Sequence, residues 1–294
     1  MRSHYARQAQ SEFPATAACR PAEAVVGIAA LPSLHLKCSQ MSIPAKQRLL
    51  LSIAIVGLLA AAFAPRIGQD PAYHLFADQA SYLSIPNALN VLTNLLFAWV
   101  GCEGLYRLIV QKSLRHEQRI LPAYIGFFAA LILIALGSGY YHWAPDNQTL
   151  TLDRLPITIA FMSFFTILLG ERISLKLATR LFPWLLVAGI ASIVYWHYSE
   201  LEARGDLRPY AVVQFLPVLM TPFILLMFKS RYTRGADFWW FLAWFLVARV
   251  CELLDREIMN LLAVISGHSL KHVTAAIGCL VFLRQLRFRE ALDP

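Results

Sequence analysis

Charge is scarce in this sequence. Asp, Glu, Lys and Arg make up 15% of the residues and apolar side chains 58%, whereas a soluble domain is about a quarter charged. The apolar residues gather in long runs, which excludes an ordinary soluble chain and indicates a polytopic membrane protein. Paired cysteines are also missing. Cys19, Cys38, Cys102, Cys251 and Cys279 form no CxxC pair, and the last three fall inside apolar runs. Neither a disulfide framework nor a thiolate metal site is indicated, and the cysteines read as small buried apolar side chains. An inverted repeat and broken helices with midplane charges, the marks of a transporter, are absent as well. The formal net charge of +8 comes from short Lys/Arg clusters between apolar runs. That pattern reads as topology control beside anionic headgroups and not as nucleic-acid binding.

What is present divides the chain into three parts. Residues 1–40 have no strong periodicity and hold three prolines; they read as disordered or as an over-long start, Met41 being a natural beginning. Residues 41–66 form an N-terminal hydrophobic helix, signal-like in its short apolar run but read as an anchor because Pro65 sits where processing would need an open position. Residues 67–290 then hold seven spans, at about 86–110, 119–142, 154–170, 177–197, 208–228, 237–257 and 268–287. Each is near the length a bilayer requires. Pro86, Pro122 and Pro156 fall in or near first turns, where a missing N–H costs little. The expected fold is an all-α membrane bundle: a seven-helix core plus the N-terminal helix.

The basic residues alternate between sides. Fifteen Lys and Arg, from Lys46 to Arg289, fall in the loops of one side, and five (Arg66, Arg154, Arg204, Arg208 and Arg256) fall on the other among aspartates and a glutamate. The positive-inside rule places both ends of the chain from Met41 in the cytoplasm. His142 ends the second span of the seven on its outward leg, Asp153 opens the third, and the seventh begins with "SGHSLKHV", carrying His268 and His272. All four therefore meet at one membrane face, periplasmic or lumenal.

Their spacing has a chemical meaning. His268 and His272 are four residues apart and share one helix face, and Ser138 and His142 share that spacing on another helix. Three imidazoles leave a fourth tetrahedral position for water, the arrangement of a catalytic zinc site, and zinc brings the pKa of that water toward about 7. Asp153, eleven residues after His142, is placed to exchange a proton with the water and a leaving amine. Ser138 is placed to donate to a developing oxyanion. Each residue also has a plainer reading: a serine bonded to its own helix, an aspartate capping the span 154–170, histidines wetting their polar ends at an interface.

Three blocks carry a resemblance: "IPNALNVLTNLLF" (85–97), "GSGYYHWAPDNQTLTLDRLP" (137–156) and "SGHSLKHVTAA" (266–276). With them the chain resembles the alkaline ceramidase family of membrane hydrolases, in its bacterial-type branch, within the CREST superfamily that also includes the progestin and adipoQ receptors. The resemblance implies seven helices over about 74–287, zinc held by His142, His268 and His272, and Ser138 and Asp153 flanking the reacting water. It implies hydrolysis of the amide of a membrane lipid, ceramide or a related N-acyl lipid, with no obligate protein partner inferred. The alternative it leaves is a heptahelical receptor with a structural zinc. One feature departs from the family. Where its eukaryotic members hold calcium with an acidic cluster, this chain reads "FADQASYLSIPN", with Asp78, no glutamate, and Asn87 at the late acidic position. A hard cation takes six to eight oxygens, so no calcium site is expected.

Three further charges lie near the ligand set. Glu252 and Asp255 end the sixth span, and Lys271 stands between the two histidines. They read as a carboxylate that orients a ligand imidazole, as Lys271 meeting a lipid headgroup, or as an ion pair between Lys271 and Asp255 or Glu252. Asn90 and Asn94 read as helix–helix glue, and His74 and His197 as unpaired interfacial residues.

Overall fold

The computed structural model describes residues 41–292; the segment 1–40 lies outside the described residues. The apolar runs fold into α1 (Ile43–Phe63), α2 (Ala88–Leu92), α3 (Leu95–Leu105), α4 (Leu121–Trp143), α5 (Asn147–Arg172), α6 (Leu175–Leu201), α7 (Arg208–Met227), α8 (Asp237–Leu253), α9 (Asp255–Leu262) and α10 (Gly267–Phe288). Among the described residues the only β pairing is two isolated bridges. Six segments among the described residues are long and apolar enough to cross a membrane, and the bent pair α9 and α10 raises the number to seven. Between them, α8 has 17 residues, about 25 Å at 1.5 Å per residue, close to the thickness of a bilayer's hydrocarbon core. The protein is an integral membrane helical bundle.

Packing decides which helices lie inside. α5 is the hub, with 72% of its apolar window buried, while α1, with 11% buried, leans on α7 from outside. A ring runs α3, α4, α5, α7, α8, α10 and back to α3, and α6 covers α5 and α7. Leu136, Trp184 and Val187 point outward and stay exposed, as a lipid-facing surface requires. At the centre, Phe127, Phe164, Phe238, Phe241 and Phe282 pack ring on ring, with Phe164 stacked on Phe241 at 4.3 Å. At one end, Arg289 enters the bundle fully buried and meets Glu171 at 2.7 Å, and the Tyr124 hydroxyl donates to the same carboxylate at 2.5 Å.

Two boundaries differ from the sequence expectation, and both matter for the site. α5 begins at Asn147, seven residues earlier than expected, because Asp146 and Thr149 form a reciprocal capping box: the Thr149 N–H donates to Asp146 at 2.7 Å and the Asp146 N–H to Thr149 at 3.1 Å. That backbone bond holds the Asp146 carboxyl below the usual carboxylate range. Asp153 is therefore not a cap, and Pro156 lies in the helix interior. At the other boundary, the sixth span of the seven stops at Leu253 instead of reaching residue 257. The chain turns through Leu254 into the short α9, which meets α10 at 102°.

On the site's side of the bundle, Arg208 at the start of α7 donates to both oxygens of Asp206 at 2.8 and 2.7 Å, and Tyr195 of α6 donates at 3.1 Å. The Arg208 guanidinium holds the Asp206 carboxyl down at about 2. A carboxyl lowered on folding contributes stability that is fully present above its ordinary value of about 4. The contribution is lost as the pH falls through about 2. Asp206→Asn is expected to lower the melting temperature of the detergent-solubilised protein by roughly 2–4 °C at pH 7, and the gap to wild type should close as the pH is brought from 5 toward 2. A gap that persists at pH 2 would contradict the assignment.

Candidate metal and catalytic site

α4 and α5 approach closely at a glycine and a freed carbonyl. A Cβ on Gly137 would lie 2.2 Å from the Leu152 carbonyl oxygen, so no other residue fits without moving a backbone. Leu152 stands four residues before Pro156, whose ring offers no N–H to that carbonyl. The glycine of one helix and the proline of the other thus set Ser138 beside Asp153. The Ser138 side chain lies against the Asp153 carboxylate, and both residues are buried.

One helical turn above Ser138, at the end of α4, is His142. It faces His268 and His272 in the first turns of α10, with ring centroids 4.8 and 5.0 Å away, and those two lie 5.1 Å from each other. One ligand-capable nitrogen from each ring lies within 4.8 Å of the other two, and all three residues are buried. The start of α10 is fixed by three features. Gly267 stands so near the α8–α9 turn that a Cβ would lie 2.1 Å from the Cys251 carbonyl oxygen. Ser266 caps the helix, accepting from the Ser269 N–H at 3.2 Å. Asp255 accepts from the His268 N–H at 2.7 Å and from the Ala77 N–H at 2.9 Å, tying the α8–α9 turn, α10 and the 67–87 segment together. From that segment the Phe76 ring packs on His142 at 4.7 Å and His268 at 4.9 Å.

The contacts of the ring nitrogens test whether a metal fits. Thr93 Oγ1, which donates to the Leu89 carbonyl at 2.7 Å, lies 3.0 Å from His272 Nδ1 and Asn94 Nδ2 lies 3.4 Å from it, so Nδ1 is engaged by these side chains and Nε2 is the nitrogen left for a ligand. His142 Nδ1 is buried with no partner. Lys271 donates to His268 Nε2 at 2.9 Å and to Glu252 at 3.2 Å, so its ammonium competes with any cation for that nitrogen. Three imidazoles without a thiolate or carboxylate among them suit a borderline metal such as zinc. The three imidazoles are compatible with a bound metal ion.

Among the sequence candidates, Ser138, His142, Asp153, His268, His272 and Lys271 meet at one place. Glu252 and Asp255, open in sequence between orienting an imidazole and pairing with Lys271, find the following partners. Glu252 accepts from Lys271, from Tyr73 at 3.2 Å and from Arg249, which is the ion-pair alternative, and Asp255 serves two backbone N–H groups. The group behind a ligand imidazole is Thr93, which sequence reasoning missed. Its signal was present: Asn90, Thr93 and Asn94 recur at helical spacing on one face of an apolar span. His74 and His197 are not unpaired, since His74 meets the Tyr141 hydroxyl at 3.0 Å and Asn147 at 3.1 Å, and His197 meets Thr151 at 3.0 Å.

A cavity of about 390 Å³ leads away from this cluster. Its polar end is lined by Ser138, Asp153 and His272, and its depth by Phe127, Leu131, Phe161, Phe164 and Phe245. It lies beside α7 and α8, the neighbours that pack least closely in the ring.

Two substitutions test this geometry. Asp255→Ala frees both backbone N–H groups, and a site held less firmly is expected to bind zinc about 10–100-fold more weakly in chelator competition. Affinity equal to wild type would show that the tie is not needed. Gly137→Val forces α4 from α5 and is expected to abolish the turnover of any substrate processed here, while a tolerant variant would refute the close approach.

The family model described as Ceramidase matches residues 81–292. No curated protein and no solved structure matches the chain. The matched region runs from the segment before α2 to the end of α10 and takes in all three histidines, Ser138 and Asp153, and by that match the chain belongs to the ceramidase family.

Proposed function

We propose that this protein is a zinc-dependent membrane hydrolase that cleaves the amide of a membrane lipid, ceramide or a related N-acyl lipid, to a fatty acid and an amine. The observation that carries the reading is the shared position of three buried imidazoles, the Ser138–Asp153 pair and the mouth of a deep apolar cavity. Family membership supports hydrolysis of a lipid amide. His142, His268 and His272 would hold the ion, which supplies Lewis acidity and a water activated at neutral pH.

The chain's own residues account for the rest. The apolar wall takes the acyl chain and brings the amide to Asp153. As the new C–O bond forms, Asp153 accepts a proton from the attacking water. It returns that proton to the amide nitrogen as the C–N bond breaks, so the amine leaves neutral. Ser138 holds the carboxylate in place before substrate arrives, and rotation about its Cα–Cβ bond aims its hydroxyl at the carbonyl oxygen as negative charge develops there. Phe76, packed on two of the imidazoles, keeps bulk water off that side of the site. Substrate enters from the bilayer between α7 and α8, where Phe215, Leu219 and Leu246 are exposed beside the cavity. The alternation of basic loops supports a site near the periplasmic or lumenal face, with both ends of the chain from Met41 in the cytoplasm.

Elemental analysis tests the reading first. Purified wild type is expected to carry one zinc per chain, lost in His142→Ala and in His268→Ala/His272→Ala. Asp153→Asn is expected to keep the zinc while amide turnover falls by about 10²-fold or more. Wild-type turnover in Asp153→Asn would refute the proton-transfer role, and wild type without metal would overturn the hydrolase reading.

A further inference from the structure

The polar end of the cavity carries more positive than negative charge. Arg154, Arg249 and Lys271 line it against Asp153 and Glu252. Glu252 is shared, accepting from Lys271 at 3.2 Å and from Arg249, so one carboxylate serves two cations. Arg154 forms no direct ion pair with a carboxylate among the described residues, and Asp153, whose charge it feels, answers to Lys271 as well. Its guanidinium lies over the rings of Trp196 at 4.3 Å, Tyr210 at 5.0 Å and Tyr73 at 5.6 Å. Nη2 donates to Gln69 at 2.7 Å, and Nη1 is buried with no partner. Glu200, in the same corner, is engaged by the Gln69 N–H at 2.7 Å and Trp196 Nε1 at 3.0 Å.

An arginine only 6% exposed is rarely left without a direct ion pair, because burial removes the water that would solvate its charge. Aromatic faces offset part of that loss, but a guanidinium presents five donors in a fork shaped for a carboxylate or phosphate. Position adds to the argument. Arg154 follows Asp153 in sequence, and its partners come from the 67–74 segment, the end of α6 and the start of α7. It therefore sits on the loop side of the scissile position, opposite the phenylalanine-lined depth that takes an acyl chain.

Resting on the hydrolase reading above, we infer that the amine half of the substrate carries an anion read by Arg154, with Arg249 and Lys271 beside it: the site takes N-acyl lipids whose headgroup bears a carboxylate, as an N-acyl amino acid does. The products are then a fatty acid and a free amino acid. The reaction adds one water across the C–N bond and needs no other reactant. A phosphate headgroup presents the same chemistry to the same fork and forms the second arm of the test.

The test compares matched pairs on the purified full-length chain in mixed micelles: N-oleoylglycine against N-oleoylethanolamine, and ceramide 1-phosphate against ceramide. kcat/KM is expected to favour N-oleoylglycine over its neutral partner by about 30-fold or more. Arg154→Gln should collapse that ratio mainly through KM, and Arg154→Lys should keep part of it. A preference confined to the phosphate pair keeps the anion site and makes its ligand a phosphate. Wild type favouring the neutral lipids, or a ratio unchanged in Arg154→Gln, overturns the inference and leaves Arg154 a structural residue of its aromatic corner. Should Arg154→Gln not fold, the wild-type ratio and Arg154→Lys decide. Equilibrium binding of labelled N-oleoylglycine to Asp153→Asn separates the two readings. Binding that depends on Arg154, with no amide cleaved by wild type, sustains the anion site and refutes the hydrolase. Cleavage of both lipids without discrimination does the reverse.

Discussion

A buried imidazole needs a partner for each of its two nitrogens, and three such rings meeting inside an apolar bundle multiply the demand. Much of the surrounding structure is organised by that demand. Thr93 serves one nitrogen of His272, Lys271 serves one of His268, and Glu252 compensates the charge that Lys271 brings. His142 Nδ1 is left over. The same demand explains why α10 must start where it does. Its first turn has to sit against the α8–α9 turn, which only Gly267 permits, and Asp255 locks it there through the His268 backbone.

The bundle, most of its span boundaries and the meeting of His142, His268 and His272 were legible in the sequence, because hydrophobic runs, basic loops and i, i+4 spacing are local patterns. What was not read has two causes: a local signal outweighed by the hydrophobic run, as at Asp146 and Thr149, and contacts between elements distant in the chain. The Asp146–Thr149 capping box moved the start of α5 by two turns and converted Asp153 from an apparent cap into a residue facing the cavity. The turn at Leu254 gave Asp255 backbone partners in place of an imidazole. Thr93 comes to His272 across 179 residues of sequence, and nothing in a single chain's periodicity links them.

Arg154 shows the same limit from the other side. In sequence it counts as one of five basic residues on the less basic face, a topology signal. In the folded chain it is a cation enclosed by three aromatic rings beside the proposed acid–base residue. Pro156 has a comparable double identity. It resembles a first-turn proline, yet from the interior of α5 it leaves free the Leu152 carbonyl that Gly137 approaches.

The loose seam between α7 and α8 has a kinetic consequence. A molecule taken from the bilayer through such a seam is met by two-dimensional diffusion, and what the enzyme senses is its mole fraction in the leaflet and not its amount per litre. Adding inert lipid to a fixed quantity of substrate then slows turnover although every bulk concentration involving substrate and enzyme is unchanged. Saturation curves for this protein acquire meaning only when drawn against surface composition.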